Sequence, residues 1–498
     1  MALNKLFFIF SFLSIIGLSP LKAQYQVNNR IQTAWMLLMD LKLDDAKQVL
    51  DEELAFNPQN YYAYYLQQTC DAYALLINST DEEFDAFVER HEALREIMDG
   101  KYEDSPYYLF CKSEMDLQVG VFSIIHGSQF SGMRKAFSAY REVYKNLNKF
   151  PNFKPSLKLD GFFNVAISNL PPFVKWAVSV FGVASDFDYG MKMLHNLYDE
   201  QKNIKGINAE AALFIIFTAK INKTPEDVYH FTQTLDTNIR NLFIHQYFRT
   251  NIAYRTGHNE EALKDLKMFN GNNSSSAQLI YDYLKGKILL RKLQDSSAYY
   301  IESFLQHLKK PEYYKEMKYN LALSYLLKSD VSQYHELCQD VIKGGNEINE
   351  RDREALYDAS LDYQPHINLV KARLLLDGGY LDEAVKYLNE FKKNPQNQLA
   401  YQLEYHLLLA RYQVLTEETA QAITNFDFVM KNGSKTDYYF ACAASFYLGR
   451  IAEVNGKLEE AENDYKTSVD LYKSEYYEYL GDKANKALAR VRQAMNLK

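Results

Sequence analysis

Ten histidines and four cysteines head the side chains of this chain that could ligate a metal or attack a carbonyl. A helical zinc site needs two histidines four apart with a glutamate beside the first, and no such trio occurs. The phosphate-cradling G-x-x-x-x-G-K, the dinucleotide G-x-G-x-x-G and the nucleophile elbow G-x-S-x-G are also missing. Gly127-Ser128-Gln129-Phe130-Ser131-Gly132 has one residue too many for the elbow. Asp44-Asp45 and Asp81-Glu82-Glu83 lack the alternating oxygens and turn glycine of a calcium loop. They read instead as acids favoured by a helix N-terminus. Cys70, Cys111, Cys338 and Cys442 make no C-x-x-C pair and sit in apolar contexts, so they read as small buried hydrophobes. Sequence alone establishes no disulfide among them. These readings point away from an enzyme and call for no catalytic residue, no cofactor and no metal.

Aromatic side chains are the other candidates. The chain has 40 Tyr and 30 Phe but only 2 Trp. Tyr61-Tyr62-Ala63-Tyr64-Tyr65 is the densest run, and Tyr61 and Tyr65 share a helix face at i, i+4. That face is either core or part of a tyrosine-lined groove for a partner, since amphipathic rings suit both. Tyr438-Tyr439-Phe440 and Tyr476-Tyr477 with Tyr479 carry the same two readings.

The elements that must position these residues are helices. Apolar residues recur at helical spacing almost throughout, and no sustained alternation predicts strands. With 20 Gly and 11 Pro in 498 residues, the chain is also poor in turn formers. A tetratricopeptide unit places a small residue at position 8, Ala at 20 and a bulky residue at 24. Gly449, Ala461 and Tyr465 fit, as do Ala410, Ala422 and Phe426. So do Ala372, Ala384 and Leu388, with Pro395 closing the unit, and Thr250, Ala262 and Leu266. Gly286 with Ala298 and Leu305 fits more loosely, and Ala322 with Cys338 and Val341 more loosely still. Ala46, Leu50 and Pro58 match the second half of a unit. Matches that keep phase predict an all-α, tetratricopeptide-like α-solenoid of antiparallel helix pairs with a central non-repeat segment. The expected organisation is a signal peptide at 1–23, N-terminal repeats at 24–119 and a central helical segment at 120–200. Middle repeats at 201–343, a polar loop with a short helix at 344–365, and C-terminal repeats at 366–498 follow. Gly271-Asn272-Asn273-Ser274-Ser275-Ser276 reads as an inter-repeat turn.

Within 161–182, one charge (Lys175) interrupts an apolar stretch divided by Pro171-Pro172. Each half is too short to span a bilayer, which needs about 20 residues. The stretch therefore predicts a helical hairpin, either buried or exposing Phe173 and Trp176 to a lipid-sized pocket or membrane surface. Gly161-Phe162-Phe163-Asn164, Ser168-x-Leu170-Pro171, Phe181-Gly182, Asp186, Tyr189-Gly190 and Leu194 form a motif. It resembles the signature of the eukaryotic tetratricopeptide-repeat protein 39 family, which includes the fungal inclusion-body clearance proteins. Asn169, Gly182-Val183 and Met191 depart from that pattern. The resemblance implies a non-enzymatic helical-repeat protein and, in eukaryotes, a link to lipid handling and protein inclusions.

Residues 1–23 read as a cleavable secretory signal: Lys5, an apolar run from Leu6 to Leu18, then Pro20 and Ala23 before Gln24. An Ala-Gln end is similar to signals common among Bacteroidetes. No cysteine lies near the cut for a lipid anchor, so a periplasmic or secreted address is expected. Loss of Lys5 and Lys22 takes the formal net charge from −8 to about −10, which disfavours nucleic acid. The expected function is an exported scaffold holding protein partners on a concave solenoid face, with no transmembrane segment in the mature chain. A carrier of a lipid or other apolar ligand around the central hairpin is the alternative.

Overall fold

The computed structural model describes residues 24–168, 185–200, 205–222, 225–269, 274–471 and 478–496. The stretch read as a signal (1–23), the expected hairpin around Pro171-Pro172 with Phe173 and Trp176, positions 271–273 of the expected turn, and Tyr476-Tyr477 lie outside them. Two compact units form: one takes the chain up to Phe248 with Gly271–Ala277, the other Arg249–Asn270 with Gln278–Lys498.

Every long element among the described residues is an α-helix. The first stretch contributes α1 (Asn29–Met39), α2 (Leu43–Phe56), α3 (Tyr61–Ile77), α4 (Asp81–Met98), α5 (Pro106–Ile125) and α6 (Gln129–Lys149). Then come α7 (Leu157–Ser168), α8 (Phe187–Glu200), α9 (Lys205–Asn222), α10 (Pro225–Thr234), α11 (Thr237–Arg240), α12 (Phe243–Arg255) and α13 (Asn259–Leu266). The remainder holds α14 (Ser275–Arg291), α15 (Ser297–His307), α16 (Tyr314–Leu327), α17 (Val331–Lys343), α18 (Glu350–Ala359), α19 (Ile367–Gly378) and α20 (Leu381–Lys393). It closes with α21 (Leu399–Leu415), α22 (Thr419–Gly433), α23 (Phe440–Val454), α24 (Leu458–Leu471) and α25 (Glu478–Asn496). The fold is the expected all-α, tetratricopeptide-like solenoid of antiparallel pairs.

Local chemistry sets the helix starts. Thr80 and Glu83 make a reciprocal capping box on α4, and Ser105 caps α5 just before Pro106 at its first position. The pairs then close where two small residues stand twelve apart. Ala410 with Ala422 and Ala372 with Ala384 are wholly buried. A Cβ on Gly449 would lie 2.8 Å from the Tyr465 ring, and one on Gly286 2.7 Å from Ile301. The bulky partners Leu388, Phe426 and Tyr465 fill the space beside these crossings, each fully buried side chain contributing about 1.5–3 kcal/mol. In α16/α17 the spacing pairs Ala322 with Tyr334, and this looser unit is filled by a buried phenol instead.

The spacing also reaches where the sequence does not display it. Ala34 and Ala46, both buried, make α1/α2 a whole unit rather than half of one. Gly120 and Gly132 bring α5 and α6 so close that a Cβ on Gly132 would lie 2.5 Å from the Gly120 carbonyl oxygen. Gly161 and Gly190 do the same for α7 and α8: a Cβ on either would fall within 2.9 Å of the other's carbonyl oxygen. Here the crossing residues are 29 apart, because the chain between the two helices is 17 residues longer than the spacing of twelve allows. The departure of the central segment from the repeat is thus extra chain within a pair, and the crossing itself is kept.

Gly132→Ala forces a methyl group against backbone that cannot yield, at a cost of about 1–3 kcal/mol. Trp35 is fully buried in the first unit, so urea unfolding followed by tryptophan fluorescence reads this change. An unchanged midpoint would contradict the crossing.

Candidate functional site

In the second unit the first helices of successive pairs rest on one another: α16 on α19, α19 on α21, α21 on α23. That places them on the inner side of the stack. Onto this inner face comes the connection between α17 and α19. It runs for 23 residues (344–366), where α20 to α21 needs five (394–398) and α22 to α23 six (434–439). Gly345 starts it in a left-handed conformation, φ +70°, against the Tyr314 ring. Asn349 then caps α18, its side-chain oxygen accepting from the Asp352 N–H at 2.9 Å.

Asp352 is fully buried and itself caps α16, accepting from the N–H groups of Tyr313 (2.6 Å) and Glu316 (2.8 Å). Burial pushes this carboxyl up to about 6 despite those two donors. Further along, Arg373 of α19 faces Asp358 at 3.8 Å. The Tyr401 hydroxyl of α21 donates to the Gln364 carbonyl at 2.6 Å, and that of Tyr438 to Asp362 at 3.3 Å. In the other direction Tyr357 donates to the Asp437 carbonyl at 3.1 Å. The Tyr363 ring stands edge-on to both Tyr401 and Tyr438, 5.7 and 5.5 Å away. Tyr319, Arg373, Glu404 and Phe440, from four first helices, close with Asp358 and Tyr363 around a space of about 10 Å³. That is room for one water. Burial raises the Glu404 carboxyl, while Asp358 and Glu404 outweigh burial at Arg373 and hold its guanidinium charged.

The first unit contains a buried ionic centre that no motif announced. Lys158 of α7, 1% exposed, lies 3.0 Å from Glu114 of α5 and 2.6 Å from Glu210 of α9. Its ammonium also stands over the Phe110 and Phe214 rings, at 5.6 and 5.7 Å. Burial alone would lower Lys158, but the two carboxylates outweigh it and raise it. One cation between two acids leaves an excess negative charge, and burial pushes Glu114 up to about 7. The centre ties three helices together and is closed to solvent.

Beside it, the motif residues form a hub. Asp160 accepts from the hydroxyls of Tyr144 (3.0 Å) and Tyr189 (3.1 Å) and from the Asn164 amide (3.0 Å). Asn164 in turn accepts from the Asp186 N–H at 3.0 Å. With Tyr140 and Ser185, these groups line an open cleft of about 520 Å³.

Of the two readings of Tyr61 and Tyr65, core or partner groove, their burial matches the core. Tyr61 is 6% exposed and Tyr65 not at all. Tyr62 stands edge-on to Tyr65 at 5.3 Å and is stacked on Phe110 at 6.2 Å, so the run is a core cluster. Phe173 and Trp176 lie outside the described residues. All four cysteines are buried and unbridged. His91, Asp116 and Ser138 do meet, but Asp116 stands between the other two, 3.3 Å from His91 and 3.1 Å from Ser138. The hydroxyl therefore faces a carboxylate, and the nucleophile–base contact is not made. His245, fully buried against the Ala209 carbonyl, is pushed down to about 4 and stays neutral. Among the described residues no group of three acids, histidines or cysteines is placed to hold a metal, and no helix is long and apolar enough to cross a membrane.

No protein-family model matches the chain, and no curated protein does. Solved structures of low similarity include the APC/C heterotetramer Cut9–Hcn1, at 10% identity and TM-score 0.26, over 93% of this chain and 96% of that one. Yeast Tom70 aligns at 14% identity and TM-score 0.25, over 92% and 95%. Naa15/Naa10 bound to HypK-THB aligns at 12% and 0.23, over 93% and 73%.

The buried centre has a pH signature. Glu114 binds its proton more tightly folded than unfolded, so its contribution to stability is fully present at low pH and is lost as pH rises through about 7. Glu114→Gln reduces that slope and folds, whereas Lys158→Met leaves two facing acids and costs about 3–5 kcal/mol. Unfolding midpoints by tryptophan fluorescence at pH 5, 6.5 and 8 check both. Equal tolerance of the two substitutions would contradict the assignment.

Proposed function

We infer that this chain is an exported helical-repeat scaffold that binds protein partners in a Gram-negative cell envelope, using the inner face of its second unit. One observation carries the reading: that face already holds a stretch of polypeptide. Tyr401 grips it through a main-chain carbonyl, a contact that recognises peptide irrespective of side chain. Arg373 and the Arg411–Asp377 pair, at 2.6 Å, supply charge on neighbouring first helices. The export half of the proposal is supported by the charged, apolar and small-residue order of positions 1–23.

The open cleft at Asp160 favours a second reading, a carrier of a small ligand. Its phenols and carboxylates suit a cationic or hydroxylated headgroup better than a bare acyl chain.

Two measurements test the scaffold. Intact mass and N-terminal sequencing of protein from its native cells are expected to begin at Gln24, and a product retaining Met1 would overturn export. In quantitative affinity capture from envelope extracts, the variant Arg373→Glu/Arg411→Glu, with unchanged helical circular dichroism, is expected to recover the wild-type partners at least tenfold less. Equal recovery would remove the inner face from the account.

A further inference from the structure

We propose that residues 350–365 are a displaceable resident ligand of the second unit's inner face, and that the face takes an external acidic, tyrosine-bearing peptide in their place. This rests on the scaffold reading and adds to it the partner's chemistry and a built-in competitor.

Chain length shows first that the repeat does not require the segment. Neighbouring pairs are joined by five or six residues, and this connection uses 23. Its tether is open, with Gly345, Glu347 and Ile348 exposed before α18, and Ser360 and Asp362 exposed after it.

The character of the contact points the same way. Six of the ten residues in α18 are charged: Glu350, Arg351, Asp352, Arg353, Glu354 and Asp358. Its buried apolar anchors are only Ala355 and Leu356. By contrast, the α20 and α22 helices bury Leu388 and Phe391, or Phe426 and Val429, against their partners. Permanent interfaces resemble core, and exchangeable ones are polar. The segment meets the face almost wholly through polar contacts: the buried Asp352 carboxylate capping α16, phenol hydrogen bonds to two main-chain carbonyls and to Asp362, edge-on tyrosine rings and an ion pair at 3.8 Å. Those contacts also define what could replace it: a carboxylate for Arg373, a ring for the notch between Tyr401 and Tyr438, and a main-chain carbonyl for the Tyr401 hydroxyl.

Hydrogen exchange on the intact chain tests displacement. Amides of 350–359 are expected to exchange at least tenfold faster than those of α16, α19 and α21. Equal protection would make α18 ordinary core and overturn the proposal. A second experiment replaces 346–364 by a six-residue Gly/Ser linker and adds a fluorescent peptide of residues 346–366 in trans. Anisotropy is expected to show saturable binding, at least tenfold weaker for peptides carrying Asp358→Lys or Tyr363→Ala, and at least tenfold weaker to the unmodified chain, where the resident segment competes. A helical deletion variant that ignores the peptide would overturn the proposal. Should that variant not fold, the exchange result decides alone. Neither readout needs a cellular partner, so failure of partner capture and failure of this proposal are told apart.

Discussion

Close approach of paired helices is the constraint on which the structure depends. Two helices can cross at the distance seen between α5 and α6, or α7 and α8, only if the contact positions carry no side chain to hold them apart. Once the crossing is fixed, everything else follows in register. The residue four further along the second helix is buried against the first, and the next pair stacks on the face so formed. Leu388, Phe426, Tyr465 and Leu194 all occupy that position, though they lie in pairs far apart in the chain. The same logic explains the glycines of the central motif. Gly161, Gly190 and Leu194 are the crossing and its bulky neighbour, while Asp160 and Asn164 tie the pair to Tyr144, Tyr189 and Asp186.

Within that frame charge is used in two ways. The first hides it: Lys158 between Glu114 and Glu210 joins three helices away from water, where a half-satisfied centre is more costly than none. The second places it on the inner face, where Arg373 and Arg411 stay partly exposed and meet acids from other elements. Buried charge of the first kind specifies packing. Charge of the second kind is available to a partner, because exchanging one carboxylate for another leaves the face satisfied.

Much of the fold was legible in the sequence because small residues at a constant spacing are hard to produce in any other way. Where the spacing was obscured, the physical reason is plain. Glycine replaces alanine at Gly120/Gly132, so the pattern loses its most recognisable letter, and the longer chain between α7 and α8 stretches Gly161/Gly190 out of phase. Ala34 does not stand out in the sequence because its helix follows closely on the apolar N-terminal stretch. The site was less legible. Tyr61 and Tyr65 have the composition of a binding face, but composition does not say which side of a helix meets the core. Glu114, Lys158 and Glu210 are separated by up to 96 residues and share no spacing rule, so only the fold brings them together. The polar stretch 344–365 was visible as an interruption, yet nothing in it indicated that it lies across four first helices.

The central claim is that the second unit's inner face is occupied by the chain's own residues 350–365. Spin labels at Ser360 and Lys435, both exposed, would report on it directly through double electron–electron resonance on the intact chain. The account predicts one short, narrow distance distribution. A broad, long distribution would mean that the segment does not rest on that face, and would contradict it.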